Sequence, residues 1–296
     1  MDGFIKLFQD SYVLKTPFAG VWSGVFLITG KTNILIDSGA SGEVVDTCVV
    51  PALAGLGLKT SDIAYLINTH SHGDHAGGNR RFLELSGRTT LAAFRPAADK
   101  IRDPLKYGRA IRLKYPENSP PPQSVLDGCT PGLVLDGEDM LADRLKLIPT
   151  PGHDSECVSL FDLQTGALYT GDALQGFGMV GAEGASGLAF IQYLSDYLSS
   201  LETVRRLDPA CLVASHDYIP FGFLAADKRE VSAVLDVCLF AVSSYRVLVR
   251  RELEAGCRNT AAIAKKVIKS FGAAVPEKLF MAMYTVDELI REYDLF

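Results

Sequence analysis

Three of the five histidines in this chain of 296 residues lie within six positions of one another: His70, His72 and His75, grouped around Asp74 in the run THSHGDHAGG. Neutral imidazole is the commonest protein metal ligand near neutral pH, and carboxylate accompanies it in hydrolytic sites. The alternative is a polar turn carrying surface histidines. It is disfavoured because the run follows an apolar strand directly and enters Gly77-Gly78, the kind of strand end where side chains converge. His153 after LKLIPTPG and His216 after CLVAS stand at comparable strand ends, as does Asp172 in LYTGDAL. Alone, each reads as a satisfied core or surface residue. Together they complete a set of strand-end ligands, and no histidine is left over.

Several elements must position these groups. Residues 24–37 carry two apolar runs around Gly30-Lys31-Thr32-Asn33, a hairpin signal, and the second run ends in Asp37-Ser38-Gly39. Helical spacing over residues 43–57 and a β-branched run over 63–69 follow, so the order strand, helix, strand favours a layered α/β or αββα arrangement. Residues 141–152 and 157–172 read as strands around Gln164-Thr165-Gly166, residues 190–206 as an amphipathic helix and 211–216 as a strand. Residues 102–131 read as a long irregular stretch with Pro116, Pro120, Pro121 and Pro122 and interleaved Tyr107, Arg109, Arg112, Lys114 and Tyr115. Such a stretch is either a substrate-side lid or a plain surface excursion. Beyond Pro220 the pattern is helical only, over 227–254, 259–271 and 286–292, so a catalytic domain over 1–225 and a helical module over 226–296 are expected.

Composition bounds the function. The net charge of −6 sets the whole-chain field against nucleic acid or an anionic membrane. The 11 basic and 10 acidic residues from Phe221 onward leave the first 220 residues at −7 and the tail at +1. Within that tail Arg246, Arg250, Arg251, Arg258, Lys265, Lys266 and Lys269 face only Glu252 and Glu254 nearby in sequence, which reads as a solvated face or, less plainly, an anion-binding or docking surface. Six scattered cysteines without a CxxC pair read as small buried hydrophobes or free thiols. The opening residues show no secretory signal, and the apolar stretch 231–249 is interrupted by Asp236, Ser243, Ser244 and Arg246, too polar for a bilayer span. A reducing cytoplasm is the expected compartment.

The order of the motifs resembles the metallo-β-lactamase-fold hydrolases: Asp37 in ILIDSG, the HxHxDH run at 70–75, His153 in TPGH, Asp172 in YTGD and His216 in ASH, over about the first 220 residues. The resemblance implies an α/β fold, an αββα sandwich, here with a C-terminal helical extension. It implies that His70, His72 and His153 hold one metal, that Asp74, His75 and His216 hold a second, and that Asp172 bridges both, with Asp37 supporting the site loop rather than ligating. Nitrogen and carboxylate donors without thiolate suit zinc, with manganese or iron as alternatives.

Such a pair lowers the pKa of bound water from ~15.7 to about 7, so hydrolysis of a small ester, lactone or thioester by a metal-bridging hydroxide is the leading expectation, with Asp74 orienting the nucleophile or passing its proton. The bridging Asp172 makes the chain similar to the glyoxalase II and lactonase branches. It lacks the second histidine that glyoxalase II proteins carry after TPGH, having Asp154-Ser155-Glu156-Cys157, and the tyrosine that lactonases carry after the bridging aspartate. Alternatives are a phosphodiesterase or nuclease of the same fold, docking through the basic tail, and a mononuclear iron enzyme like the persulfide dioxygenases, held by His70, His153 and Asp172. Trp22, Phe177 and Tyr218 are the weak substrate-binding candidates, with Met179 beside Phe177; packing roles are the competing reading for each. Cys157 reads as a buried small side chain. The apolar runs 231–240 and 279–283 pack on the catalytic domain or on a second copy, which suggests a homodimer.

Overall fold

The structure, a computed structural model, describes residues 3–121, 126–181, 184–185 and 188–295. The chain divides into two compact units. The first comprises residues 1–111, 122–149 and 158–165, the second 112–121, 150–157 and 166–296.

In the first unit, strands β1 (Ile5–Phe8), β2 (Ser11–Phe18), β3 (Val21–Ile28), β4 (Asn33–Ile36), β5 (Ile63–Ile67), β6 (Thr90–Phe94) and β7 (Leu133–Leu135) form one sheet in sequence order. β1 to β4 pair antiparallel and β4 to β7 parallel. The expected hairpin is β3–β4, whereas β1 and β2 lie upstream of it, where the sequence raises no expectation. β4 and the end of β5 are near-continuous apolar runs, the pattern of strands covered on both faces. Between β4 and β5 the expected single helix is α1 (Gly42–Val44), a π turn over Val45–Val49, and α2 (Val50–Gly55). Val45, Val49 and Leu53 from this segment pack with Leu35, Leu66 and Phe82 in the core. Helices α3 (Gly73–Ala76) and α4 (Asn79–Ser86) follow β5, and α5 (Ala98–Arg102) follows β6. Gly77 is required where α3 meets the loop after β4: a Cβ there would lie 2.2 Å from the Ala40 carbonyl oxygen.

The same unit holds an antiparallel meander of β8 (Met140–Leu141), β9 (Leu145–Pro149) and β10 (Val158–Asp162). Arg144 in its turn is buried and forks onto two carboxylates, with Nη2 2.8 Å from Asp162 and Nη1 2.8 Å from Asp10. Burial works against ionisation of Asp162, but hydrogen bonds from Arg144, the Gln164 N–H and the Thr165 hydroxyl outweigh it and hold the carboxyl below its ordinary value. A depressed carboxylate contributes stability that is present at neutral pH and is lost as pH falls through its folded-state pKa, so acid weakens this unit below about pH 4. Arg144→Ala is expected to cost about 3–5 kcal/mol, because a buried charge loses its partner; urea unfolding at pH 7 measures it.

The stretch 102–131 differs from the irregular reading. Helix α6 (Pro104–Leu113) and a 3-10 turn over Pro116–Asn118 occupy its first part, while 122–125 lie outside the described residues. Pro104 sits in the first turn, where a missing N–H costs nothing, and Pro116 and the later prolines fall beyond the helix end.

In the second unit, β11 (Ala167–Gly171) runs parallel to β14 (Cys211–Tyr218), and β15 (Gly222–Ala225) pairs antiparallel with β14. A short pair, β12 (Val180–Gly181) and β13 (Gly184–Ala185), and helix α7 (Leu194–Leu207) form the connection between β11 and β14. Then come α8 (Lys228–Glu254), capped by the Asp227 side chain, α9 (Thr260–Ser270), capped by Asn259, and α10 (Phe280–Asp294). α10 begins six residues before the expected start, so the apolar run 279–283 belongs to it.

By length and apolar content α8 does meet the requirement for a membrane span, with mean hydropathy 1.6 over its best window, which corrects the reading of 231–249 as too polar. Its buried stripe, Val231, Val234, Cys238, Ala241, Tyr245 and Val249, is nonetheless that of a core helix packed against α7, α9 and α10. Two of the tail's basic side chains find carboxylates that sequence proximity did not reveal, Arg246 with Glu292 at 2.6 Å and Arg258 with Asp294 at 2.8 Å, while Lys266 pairs with the nearby Glu252.

Candidate metal centre

Two His/Asp clusters stand one in each unit, and His70 in the first and Asp172 in the second follow the carboxyl ends of parallel strands. In the first unit, β5 ends at Ile67 and the chain turns through Asn68 and Thr69 into His70, with His72 at the start of α3 and Asp74 and His75 within it. The rings of His70 and His72 lie 4.6 Å apart and those of His70 and His75 4.1 Å apart. His70, Asp74 and His75 are buried and His72 half-buried.

Each buried ring is turned by its Nδ1 atom. His75 Nδ1 lies 2.8 Å from Asp37 Oδ2, so the N–H donates to the carboxylate and Nε2 is left with its lone pair. The Thr69 hydroxyl donates to the same Asp37 oxygen at 2.9 Å and lies 3.1 Å from His70 Nδ1, from which it can accept. Asp37 Oδ1 accepts the Thr69 N–H at 2.8 Å. Asp37 itself stands at φ 60°, a conformation that aspartate tolerates better than most residues. A second brace of amides fixes the loop. Asn79 donates to the Asn68 side chain at 2.7 Å, while Asn68 and Ser38 both donate to the His75 carbonyl at 3.1 Å.

In the second unit, His153 follows Gly152, whose φ of 138° and approach to Tyr197 admit no side chain. Asp172 follows β11, and His216 lies within β14. Asp172 Oδ2 is 3.5 Å from His153 Nε2, and Asp172 Oδ1 is 3.4 Å from His216 Nε2. In the first unit His75 Nε2 is 3.3 Å from Asp74 Oδ2. These separations are long for hydrogen bonds. They match two ligands sharing one ion, since donors at about 2.0–2.1 Å in tetrahedral geometry stand about 3.3 Å apart. The donor set, imidazole nitrogen and carboxylate oxygen with the His70, His75 and His153 rings each contacted at Nδ1 from behind, therefore fits a divalent ion.

The residues that sequence reasoning missed are these orienting groups. Gln175 and the backbone of Phe190 contact His153, and Thr69, Asn68 and Asn79 brace the histidine loop; uncharged amides and hydroxyls carry no metal signal in a sequence. The expected helix from 190 in fact begins at Leu194, which leaves Phe190 outside the helix with its carbonyl 2.9 Å from His153 Nδ1.

Among the weak candidates, Tyr218 is buried with its ring 6.0 Å from that of His216. Phe177 is half-buried and packs on Phe240, Tyr245 and Phe271 of the helical tail. Trp22 is half-buried on β3 with the Lys15 ammonium 4.2 Å above its ring. Met179 bridges to Tyr218 through the backbone. Cys157 is buried, and burial, together with the nearby Glu156 and Asp154 carboxylates, pushes its thiol well above its ordinary pKa, so it is an inert thiol.

Comparison with known proteins agrees with this construction. The metallo-beta-lactamase superfamily profile matches residues 19–216. The chain is 27% identical to the beta-lactamase-like protein 2 homolog of Caenorhabditis elegans over 68% of this chain and 60% of that protein. It is 30% identical to a probable metallo-hydrolase of Methanocaldococcus jannaschii over 56% of this chain and 74% of that protein, and 28% identical to a hydroxyacylglutathione hydrolase of Methylococcus capsulatus over 61% and 59%. The matches thus span about three fifths of the nematode and Methylococcus proteins. A metallo-beta-lactamase family protein from Thermus thermophilus shares the fold across 98% of this chain and 95% of its own, with a TM-score of 0.73 and 21% identity. The α/β sandwich expected from the motifs, with helices α8 to α10 appended, is this fold, and the chain belongs to the metallo-beta-lactamase superfamily of metal-dependent hydrolases.

Proposed function

We propose that this chain is a dinuclear metal hydrolase of a small ester, lactone or thioester. The observation that carries the reading is Asp172, whose two carboxylate oxygens each face a different imidazole Nε2, the arrangement a bridging ligand requires. In this reading, which the family resemblance supplies, His70, His72 and His153 would hold one ion, Asp74, His75 and His216 the other, and Asp172 would be shared by both. Zinc suits the nitrogen and oxygen donors.

Ions so held supply Lewis acidity and bring the pKa of water to about 7. The chain does the rest. Asp37, Thr69 and the Asn68–Asn79 pair keep the lone pairs of His70 and His75 aimed inward. Asp74 holds one carboxylate oxygen 3.3 Å from His75 Nε2, and its other oxygen is the group that orients a water proton and passes it to the leaving group. Hydroxyacylglutathione hydrolases among the relatives support a thioester as the first compound class to test.

Pairing of Arg246, Arg258 and Lys266 with carboxylates supports the carboxyl-bond reading over the phosphodiesterase one, which drew on the basic tail.

One preparation of known metal content, assayed against esters, lactones, thioesters and phosphodiesters, tests the proposal. Two zinc ions per chain and cleavage of a carboxyl-derived bond that a chelator abolishes are expected. One iron per chain with oxygen consumption, or cleavage of phosphodiesters alone, overturns it.

A further inference from the structure

The apolar run 279–283 is taken up inside the second unit, where Leu279, Ala282 and Met283 are buried. Helix α8 differs. Its most apolar window has a mean hydropathy of 1.6, yet only 39% of that window is buried, so apolar side chains also face outward. They do so in one stripe: Asp236, Phe240, Ser243, Val247, Arg250 and Glu254 recur at alternating spacings of four and three, and all six are exposed. Phe240 is 65% exposed and Val247 66%, with the small Ser243 between them. Phe240 also packs on Phe177, ring centroids 6.0 Å apart, and Phe177 on Phe271 at 5.2 Å, where Phe271 at the end of α9 is itself exposed. The outward-facing apolar patch therefore runs beyond one helix, as an interaction surface does.

The charges on the stripe say what covers it. Asp236 lies seven residues before Ser243 and Arg250 seven after it, while Phe240 and Val247 lie three before and four after. A face whose acid and base are equidistant from its centre matches a copy of itself turned through a two-fold axis, the self-complementarity that an isologous interface requires. We propose that two copies of this chain dock through the exposed stripe of α8, antiparallel about an axis at Ser243, with Phe240 of each beside Ser243 and Val247 of the other and Asp236 of each facing Arg250 of the other. Within one copy Asp236 pairs with Arg205 at 2.8 Å and Arg250 with Glu254 at 2.8 Å. Both pairs are exposed and hold their side chains weakly, so both charges can also be shared across the axis. A bilayer covers this face less well. The opposite stripe of α8 is buried in the unit, and Asp236 and Glu254 would meet anionic headgroups. Neither the metal nor the reaction enters the pairing.

Light scattering on the gel-filtered full chain is expected to give the mass of two copies. Ser243→Arg sets two cations against each other on the axis, and Phe240→Glu places a carboxylate in the apolar contact. Both positions are exposed, so each variant is expected to keep its circular dichroism spectrum while its dimer dissociation constant, from sedimentation velocity, rises about thirtyfold or more. Asp236→Arg and Arg250→Asp are each expected to weaken the dimer, because like charges then face each other, and Asp236→Arg with Arg250→Asp together to restore it. A rescue of that kind needs the two positions to meet between copies. A monomeric wild type overturns the proposal, and one that instead sediments with phosphatidylserine vesicles assigns the face to a membrane. A dimer untouched by Ser243→Arg and Phe240→Glu, or a double charge variant no stronger than the single ones, overturns it as well.

Discussion

Asp172→Ala is expected to leave the chain folded, to reduce its zinc content to one ion or fewer, and to lower kcat/KM on any accepted substrate by about a thousandfold. Asp172 is a nearly buried carboxylate between two imidazole nitrogens at 3.4 and 3.5 Å. The two imidazole contacts are too long to be strong hydrogen bonds, so their loss by itself costs the apoprotein little. In the proposed dinuclear centre the same group would supply a negative charge to each of two cations, and its loss would leave both underligated and their mutual repulsion unscreened. The contribution of a metal to transition-state charge is several kcal/mol, which at about 1.4 kcal/mol per factor of ten corresponds to the thousandfold figure. Metal analysis after gel filtration, with kcat/KM on the same sample and a thermal melt of the apoprotein, checks all three parts. A variant with two tightly held ions and full activity removes Asp172 from the centre and the bridging assignment with it.

The parts of the molecule that are legible in the sequence share one physical property: their signal is local. The hairpin β3–β4, the strand β5 and the strand-end positions of His70 and Asp172 follow from apolar runs that stop at a polar residue, whereas β14 runs two residues past His216. β1 and β2 escape such a reading because Ser11–Phe18 mixes buried and exposed positions and begins with a polar Ser11 that is buried. The prolines around α6 mask it, since proline content alone does not tell whether each falls at a helix start or beyond its end. The early start of α10 is of the same kind: Leu279 caps it without a side-chain hydrogen bond, so no capping residue announces it.

What the sequence could not show is chemistry that depends on separation in space. The basic tail looks unbalanced because its partners Glu292 and Asp294 lie 46 and 36 residues away. Gln175 and Phe190 cannot be tied to His153 from sequence, because the contact needs β11, the extended segment before α7 and the Gly152 turn to be built first. The proposed metal ligands are legible because histidine is scarce and spacing constrains it. The groups that aim those ligands are common residue types, and only coordinates single them out.

Asp37 is where such an orienting group has the largest consequence. Asp37→Asn is expected to keep the fold and weaken zinc binding about 10–100-fold, whereas Asp37→Ala should weaken the fold as well. The native carboxylate accepts three hydrogen bonds, from the Thr69 N–H, the Thr69 hydroxyl and His75 Nδ1. Asparagine tolerates the same left-handed backbone and can still accept from the Thr69 N–H. Its NH2, however, replaces the oxygen that His75 and the Thr69 hydroxyl share. A donor facing His75 Nδ1 forces that nitrogen to accept, so the ring proton moves to Nε2 and occupies the lone pair that faces Asp74 at 3.3 Å. The Thr69 hydroxyl must then rotate, and its acceptance from His70 is disturbed in the same step. Alanine instead leaves the buried Thr69 N–H and hydroxyl without an acceptor, at about 1–3 kcal/mol for each group, which urea unfolding would register. Chelator competition on Asp37→Asn, read beside its unfolding curve, separates the two effects. Equal zinc affinity in wild type and Asp37→Asn would show that the His75 ring is aimed by something other than the carboxylate behind it.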